Sequence, residues 1–173
     1  MTRTLLACSA LSLSFPAIAD PFVLTSPTVI AGERLPVEHV IAGFGCAGRN
    51  VSPALEWRNP PAGTKSFAVT MFDPDAPTGS GWWHWVVLNI PAETSGLAQA
   101  AGDADSRARL LPTGALQTRT DFGEPGFGGA CPPVGDKPHR YVFAVHALST
   151  EKIELPPDAS AAMASYLIRA NEI

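Results

Sequence analysis

Apolar residues fall into short runs along this chain, and glycine and proline separate the runs. The sequence contains 17 prolines and 15 glycines, which is typical of short strands joined by turns and long loops. Composition and length predict three strands, at Ser66 to Phe72, Trp83 to Ile90 and Tyr141 to Leu148. Weaker strands are predicted at Phe22 to Thr25, Arg34 to Val40, Leu55 to Arg58 and Ala115 to Thr120. The pattern therefore predicts a mostly β protein.

One amphipathic helix is predicted near the C-terminus. Asp158 can cap it, and the apolar residues Met163, Tyr166, Leu167 and Ala170 follow at helical spacing. We expect this helix to pack on a sheet with Tyr166 in the core. The segment from Ser95 to Gly114 is rich in alanine, glycine and charge, and it predicts a surface excursion.

The N-terminal residues have the pattern of a signal peptide. Arg3 precedes the apolar run Leu5 to Phe15, which ends at Ala17-Ile18-Ala19. Cleavage before Asp20 would leave residues 20–173 as one domain. The apolar run is shorter than the roughly 20 residues of a membrane-spanning helix, and no later run is longer. We therefore predict a periplasmic or secreted protein without a transmembrane segment.

The charge balance argues against nucleic acid as a partner. The whole chain has a formal net charge of −4, and loss of Arg3 makes the mature chain one unit more negative. A chain of this charge repels polyanions in bulk. Any phosphate that it binds must be held by a local site.

Two cysteines remain after the predicted cleavage, Cys46 and Cys131, because Cys8 lies in the signal peptide. An isolated pair in an oxidising compartment predicts one disulfide. An alternative interpretation makes Cys131 a nucleophile with His139 as its base.

Polar side chains continue the apolar faces of the three clear strands. Asp73 follows Phe67, Val69 and Met71 on one face, and His84 shares a face with Val86 and Leu88. A short antiparallel connection from Pro74 to Trp83 would bring Asp73 and His84 together at one rim of the sheet. His139 continues the face of Tyr141 in the third strand, but periodicity alone does not bring it to that rim.

The loops between these strands suit an anion. The segment Gly126 to Pro133 pairs glycines, which expose backbone N–H groups at Gly128 and Gly129, with prolines that stiffen the exit. A carboxylate at Asp73 can orient a histidine and favour its charged form. We therefore expect a positively charged pocket that binds phosphate, sulfate or carboxylate, with no cofactor.

Two enzymatic interpretations use the same residues. Ser80, His84 and Asp73 can be written as nucleophile, base and orienting acid of a hydrolase, but Ser80 lies in a glycine turn without a helix or elbow to activate it. The two histidines and Asp73 could also form a facial metal site, although His-x-His and His-x-x-x-His spacings are absent. Binding without catalysis is the leading hypothesis.

Three motifs, in order, resemble the signatures of the phosphatidylethanolamine-binding protein family, in its bacterial Raf-kinase-inhibitor-like branch, the YbhB/YbcL-like proteins. They are Asp73 to Pro77, His84 to Pro91, and Gly128 to Pro133 followed by His139-Arg140-Tyr141. With Asn50 to Trp57, the resemblance covers nearly all of the mature chain.

The resemblance implies a fold and a ligand. The fold is a large central antiparallel sheet with a smaller second sheet and peripheral helices. Asp73, His84, Pro133 and His139 would line a pocket for phosphate-type anions or phospholipid head groups. Because relatives inhibit kinases or proteases, the resemblance also implies a possible protein partner of that kind.

Overall fold

A computed structural model describes residues 20–173. The predicted signal peptide, residues 1–19, lies outside the described residues. The strands are β1 Val23–Thr25, β2 Ala42–Gly43, β3 Cys46–Ala47, β4 Leu55–Arg58, β5 Ser66–Asp73, β6 Trp82–Pro91, β7 Gly96–Leu97, β8 Leu116–Gln117 and β9 Val142–Leu148. The helices are α1 Arg107–Leu110, α2 Ala161–Asn171 and a 3₁₀ turn at Val37–His39.

The largest sheet contains the three strands that the sequence predicts most clearly. Its order is β8-β6-β5-β9, and each neighbouring pair is antiparallel. Six of the eight β5 residues, Ser66 to Met71, are buried in succession, because both faces of the sheet are covered. The predicted bounds of these strands are correct to within one residue at each end.

A smaller sheet packs against one face of the large sheet. It has the order β1-β4-β7, and β2 and β3 form a separate hairpin. The core between the two sheets contains Trp57, Phe67, Met71 and Trp85, all at most 2% exposed. The two-sheet, mostly β architecture is therefore confirmed.

Helix α2 covers the opposite face of the large sheet. Ala161, Ala164 and Ile168 pack there against Val86 and Leu88, because small alanine side chains let the helix approach the sheet closely. Ser160, not Asp158, is the N-cap, and its side chain accepts the Met163 N–H. The prediction of a core position for Tyr166 is wrong, since 72% of this residue is exposed.

Three weaker predictions need correction. Arg34 to Val40 is not a strand, because Pro36 starts the 3₁₀ turn and accepts the His39 N–H. The strand predicted at Ala115 to Thr120 is only the two residues of β8. The segment Ser95 to Gly114 contains β7 and α1, and it buries Leu97 and Ala101.

Candidate functional site

A β-bulge in β6 decides where His84 points. Met71 lies opposite Trp85, but Phe72 lies opposite Trp83, so His84 is one extra residue in β6. A bulge interrupts the alternation of side chains between the two faces. His84 therefore leaves the face of Val86 and Leu88, where the sequence pattern placed it, and lies on the face of Asp73.

Asp73 is the centre of the resulting cluster. Its Oδ2 accepts a hydrogen bond from Nδ1 of His139 at 2.7 Å and lies 4.0 Å from Nε2 of His84. Its Oδ1 accepts the N–H of Asp75 at 2.9 Å, which fixes the turn after β5. The side chains of Asp73, His84 and His139 are all at most 5% exposed. The structure thus brings together the three residues that the sequence singled out.

His84 is oriented by the loop that carries Gly128. Its Nδ1 lies 2.8 Å from the Gly128 carbonyl oxygen, which can only accept, so Nδ1 carries a proton and donates it. The rings of Phe122 and Tyr141 stand edge-on to the imidazole. Burial lowers the pKa of His84. This shift runs against the expectation that His84 adds positive charge to the pocket.

An exposed ion pair holds the segment that carries His139. Arg140 donates to Asp75 from its backbone N–H, its Nε and its Nη2, at 2.7–2.8 Å. These bonds keep the pKa of the Asp75 carboxyl well below its usual range. Together with the Asp73–His139 bond, this pair joins the turn after β5 to the start of β9 twice. This pair was not predicted from the sequence, although Asp75 and Arg140 both lie within the family motifs.

Gly128 and Gly129 do not have the anion-binding role that the sequence predicts for their N–H groups. The Gly128 N–H donates to the His84 carbonyl oxygen at 2.9 Å, and the Gly129 N–H donates to the Asn50 side chain at 2.7 Å. Both donors are therefore engaged within the fold rather than offered to an anion. A Cβ at Gly128 would lie 2.2 Å from the Phe122 ring, and one at Gly129 would lie 2.5 Å from the His39 carbonyl oxygen. The glycines allow close packing behind the cluster.

A disulfide joins the β2–β3 hairpin to the glycine-rich loop, Gly126 to Pro133. The sulfur atoms of Cys46 and Cys131 are bonded, with their Cα atoms 6.0 Å apart, as the sequence predicts. Cys131 is therefore not a free nucleophile for His139 to activate, and that alternative is excluded in the oxidised chain.

A cleft of about 840 Å³ opens beside the cluster. It is lined by residues 29–35 and 136–141, together with Val40, Cys46, Ala130, Pro132 and Pro133. His139 and Pro133 line it as predicted, whereas Asp73 and His84 lie behind His139 and do not. None of the α2 residues, which all belong to the described part of the chain, lines the cleft, so the helix does not close it.

The charges along the cleft differ from those of the whole chain. Arg34, Lys137 and Arg140 contribute three cations, and Glu33 and Asp136 contribute two carboxylates. Asp136 lies 3.5 Å from Nε2 of His139, and its side chain is 40% exposed. Both ring nitrogens of His139 therefore face carboxylates, and the outer one, Asp136, is the more exposed.

The residues of the two enzymatic interpretations have defined positions in the structure. The ring nitrogens of His84 face Gly128 and Asp73, and Ser80 is exposed in the turn before β6. Within residues 20–173, no group of three or more His, Cys, Asp or Glu side chains is arranged to hold a metal ion. None of the helices in this range has the length and apolarity needed to span a bilayer.

Comparison with known proteins agrees with this architecture. The sequence profile described as phosphatidylethanolamine-binding protein matches residues 25–173. The UPF0098 protein YbcL of Escherichia coli K12 is 54% identical over 99% of this chain and 93% of its own length. YbhB of the same organism is 53% identical over 82% of this chain and 87% of its own length.

Solved structures extend the comparison to the fold. The crystal structure of E. coli YbcL, described as a new member of the mammalian PEBP family, superposes with a TM-score of 0.84 and 57% identity. The superposition covers 88% of this chain and 92% of the YbcL chain. The Chlamydia trachomatis homologue CT736, with 27% identity, gives a TM-score of 0.70 over 88% and 90% of the two chains. The chain therefore belongs to the phosphatidylethanolamine-binding protein family.

Proposed function

We propose that this protein is an exported ligand-binding protein whose cleft binds a phosphate-type anion or a phospholipid head group. The observation that supports this most directly is the buried Asp73–His139 pair at 2.7 Å, which fixes an imidazole at the wall of the cleft. A histidine that donates from Nδ1 to a carboxylate keeps its Nε2 directed at the ligand.

The cations of the cleft supply the attraction that the acidic chain as a whole lacks. Arg34 and Lys137 line the same space as His139, whereas the neighbouring Arg140 is already paired with Asp75. A bound anion would take the place of the Asp136 carboxylate at Nε2 of His139. Asp136 would then be available to pair with the ammonium group of an ethanolamine head group. The apolar lining residues Val29, Ile30 and Leu35 suit the less polar remainder of a phospholipid.

The positions of the two histidines support binding rather than hydrolysis. His84 donates from Nδ1 to a backbone carbonyl oxygen and burial lowers its pKa. Neither of its ring nitrogens is hydrogen-bonded to a hydroxyl or thiol among residues 20–173. The proposal therefore assigns no catalytic residue. A kinase- or protease-type partner, which the family resemblance implies, would have to present an acidic or phosphorylated group to this cleft.

Calorimetry with inorganic phosphate tests the site. Replacing His139 removes a charge-assisted hydrogen bond worth about 1.5–3 kcal/mol, so His139→Gln should weaken phosphate binding by about tenfold or more. His146→Gln is the matched control, because His146 pairs with Glu172 at 2.9 Å outside the cleft. The control should bind phosphate as the wild type does. Equal affinity of both variants would reject a role for His139.

The head group is identified in the same experiment. Phosphoethanolamine and phosphatidylethanolamine vesicles are titrated beside phosphate. Asp136→Asn should strengthen phosphate binding, because it removes a competing carboxylate, and it should reduce any preference for phosphoethanolamine. The absence of saturable heat with all three probes would overturn the proposed ligand class.

Export has its own test. The pattern of residues 1–19 supports it, as does the similarity to a Mycobacterium tuberculosis protein named putative lipoprotein LppC, which is 34% identical over 87% of this chain. Expression of the full chain in a Gram-negative host should give a periplasmic product that begins at Asp20. Intact mass and N-terminal sequencing check this, and an uncleaved cytoplasmic product would contradict it.

A further inference from the structure

Strand β9 forms one edge of the large sheet. It pairs along its whole length with β5, without a register shift, and β5 is its only partner strand among β1–β9. The other side of β9 therefore presents backbone N–H and C=O groups. Exposed edges of this kind readily pair with a further strand.

The C-terminal segment occupies only one end of this edge. Ile173 donates its N–H to the Ala147 carbonyl oxygen at 3.1 Å, and Ser149 donates to Asn171 at 2.9 Å. Backbone groups alternate sides along an antiparallel strand. The backbone groups of Ala147 point away from β5, so those of Val145 and Phe143 point away from β5 as well. Their outward N–H and C=O groups have no hydrogen-bond partner among residues 20–173.

We propose that the β9 edge, Val142 to His146, binds an extended segment of a separate polypeptide as an added strand. Unsatisfied donors and acceptors in strand spacing match another extended backbone, whereas a helix has already used its own groups. The C-terminal residues Asn171 to Ile173 already pair in this manner with the end of the same edge, at Ala147 to Ser149. Val142, which is 47% exposed, offers the incoming strand an apolar contact.

The position of the edge also defines the chemistry of the partner. Tyr141 lines the cleft and directly precedes β9, so a bound strand would end beside the Lys137 side of the cleft. The unpaired part of the β9 edge, between Tyr141 and Ala147, can accommodate about five residues of an added strand at roughly 3.4 Å each. The fitting partner is therefore a short extended segment with an acidic residue at the cleft end.

A displayed library of random seven-residue peptides, panned against the full oxidised chain, supplies the probe. Recovered peptides are titrated into ¹⁵N-labelled protein, and amide exchange is followed. In the free protein, the amides of Phe143 and Val145 should exchange faster than those of Ala144 and His146. Bound peptide should slow amide exchange at Phe143 and Val145 at least tenfold and leave the exchange rates of Ala144 and His146 unchanged. Peptides that bind without this alternating protection would overturn the proposal.

Matched lysine variants locate the site independently. Val142→Lys places a charge on the β9 edge, which disfavours strand addition, and should weaken the recovered peptides about tenfold. Leu116→Lys, at a residue 45% exposed on the opposite edge strand β8, should leave their affinity unchanged. Equal affinity of both variants would overturn the proposal.

Two further measurements distinguish the proposed partner from a second copy of the chain and the strand site from the anion site. A concentration-dependent dimer that Val142→Lys dissociates would show that a second copy takes the edge, and would overturn the proposed occupant. His139→Gln should retain peptide binding to within about threefold, because main-chain bonds supply most of the affinity. The strand site and the proposed anion site can thus fail separately.

Discussion

At the residue scale, one buried carboxylate organises two histidines in different ways. Asp73 bonds directly to His139 but lies 4.0 Å from His84, whose proton is directed to the Gly128 carbonyl oxygen. The carboxylate therefore fixes the orientation of His139. For His84, burial dominates over the attraction of Asp73, and its pKa is lowered. The site thus combines a histidine that a carboxylate holds in place with one whose pKa is lowered by burial.

The lowered pKa of His84 predicts how stability depends on pH. The folded state prefers the neutral ring, so the unfolded chain takes up this proton first as the pH falls below the ordinary value of 6.5. The contribution to the free energy of unfolding is complete above that pH. It is lost progressively as the pH falls from there towards the lowered pKa.

His84→Gln should remove this loss, because glutamine can still donate to the Gly128 carbonyl oxygen but does not titrate. Urea unfolding at intervals from about pH 7.5 to about pH 5 measures the slope for the oxidised wild type and the variant. The wild-type stability should fall more steeply. Parallel curves would mean that His84 titrates alike in both states.

At the element scale, small local features decide how the strands and the helix are used. The bulge in β6 adds one residue between Trp83 and Trp85 and so brings His84 to Asp73. In α2, the first hydrogen-bonded turn is set by Ser160, two residues after the expected cap. The helix consequently buries Ala161, Ala164 and Ile168 and leaves Tyr166 exposed.

The capping residue of α2 can be tested by two alanine substitutions. Ser160→Ala removes the acceptor of the Met163 N–H and should lower the free energy of unfolding by about 0.5–2 kcal/mol. Asp158→Ala should have a smaller effect, since Asp158 makes no side-chain cap to this helix. Denaturant unfolding compares them, and a larger loss for Asp158→Ala would restore the assignment made from sequence.

At the scale of the whole molecule, the cleft depends on segments far apart in the chain. The turn after β5, the start of β9 and the glycine-rich loop meet around Asp73. The Asp73–His139 and Asp75–Arg140 bonds join the turn to the start of β9, and His84 donates to Gly128 in the glycine-rich loop. The Cys46–Cys131 disulfide ties this loop to the β2–β3 hairpin. Loss of one link should therefore affect both stability and the cleft.

The disulfide spans a sequence separation of 85 residues. On the loop-entropy description, its removal costs about 4 kcal/mol. The double variant Cys46→Ser/Cys131→Ser should lose about this much free energy of unfolding and should bind phosphate more weakly, because Pro132 and Pro133 are released from one anchor.

Non-reducing mass spectrometry of periplasmic wild-type protein provides the control and should find no free thiol among residues 20–173. A double variant as stable as the oxidised wild type would contradict the expected contribution of the bridge.

The family motifs and the strand periodicity by themselves determine much of this protein. Buried apolar runs specify β5, β6 and β9, because a strand covered on both faces needs continuous apolar sequence. Isolated cysteines indicate their pairing. Polar residues at the ends of apolar faces identify Asp73, His84 and His139, and the family resemblance adds Pro133.

Tertiary structure decided the rest, because it depends on contacts that are distant in sequence. The side on which His84 lies follows from a bulge between paired strands, which periodicity within one strand does not encode. The N–H groups of Gly128 and Gly129 look free in the sequence, but packing against His84 and Asn50 uses them. Burial beside Phe122 and Tyr141 lowers the pKa of His84. Only the paired sheet reveals which edge of β9 is left open.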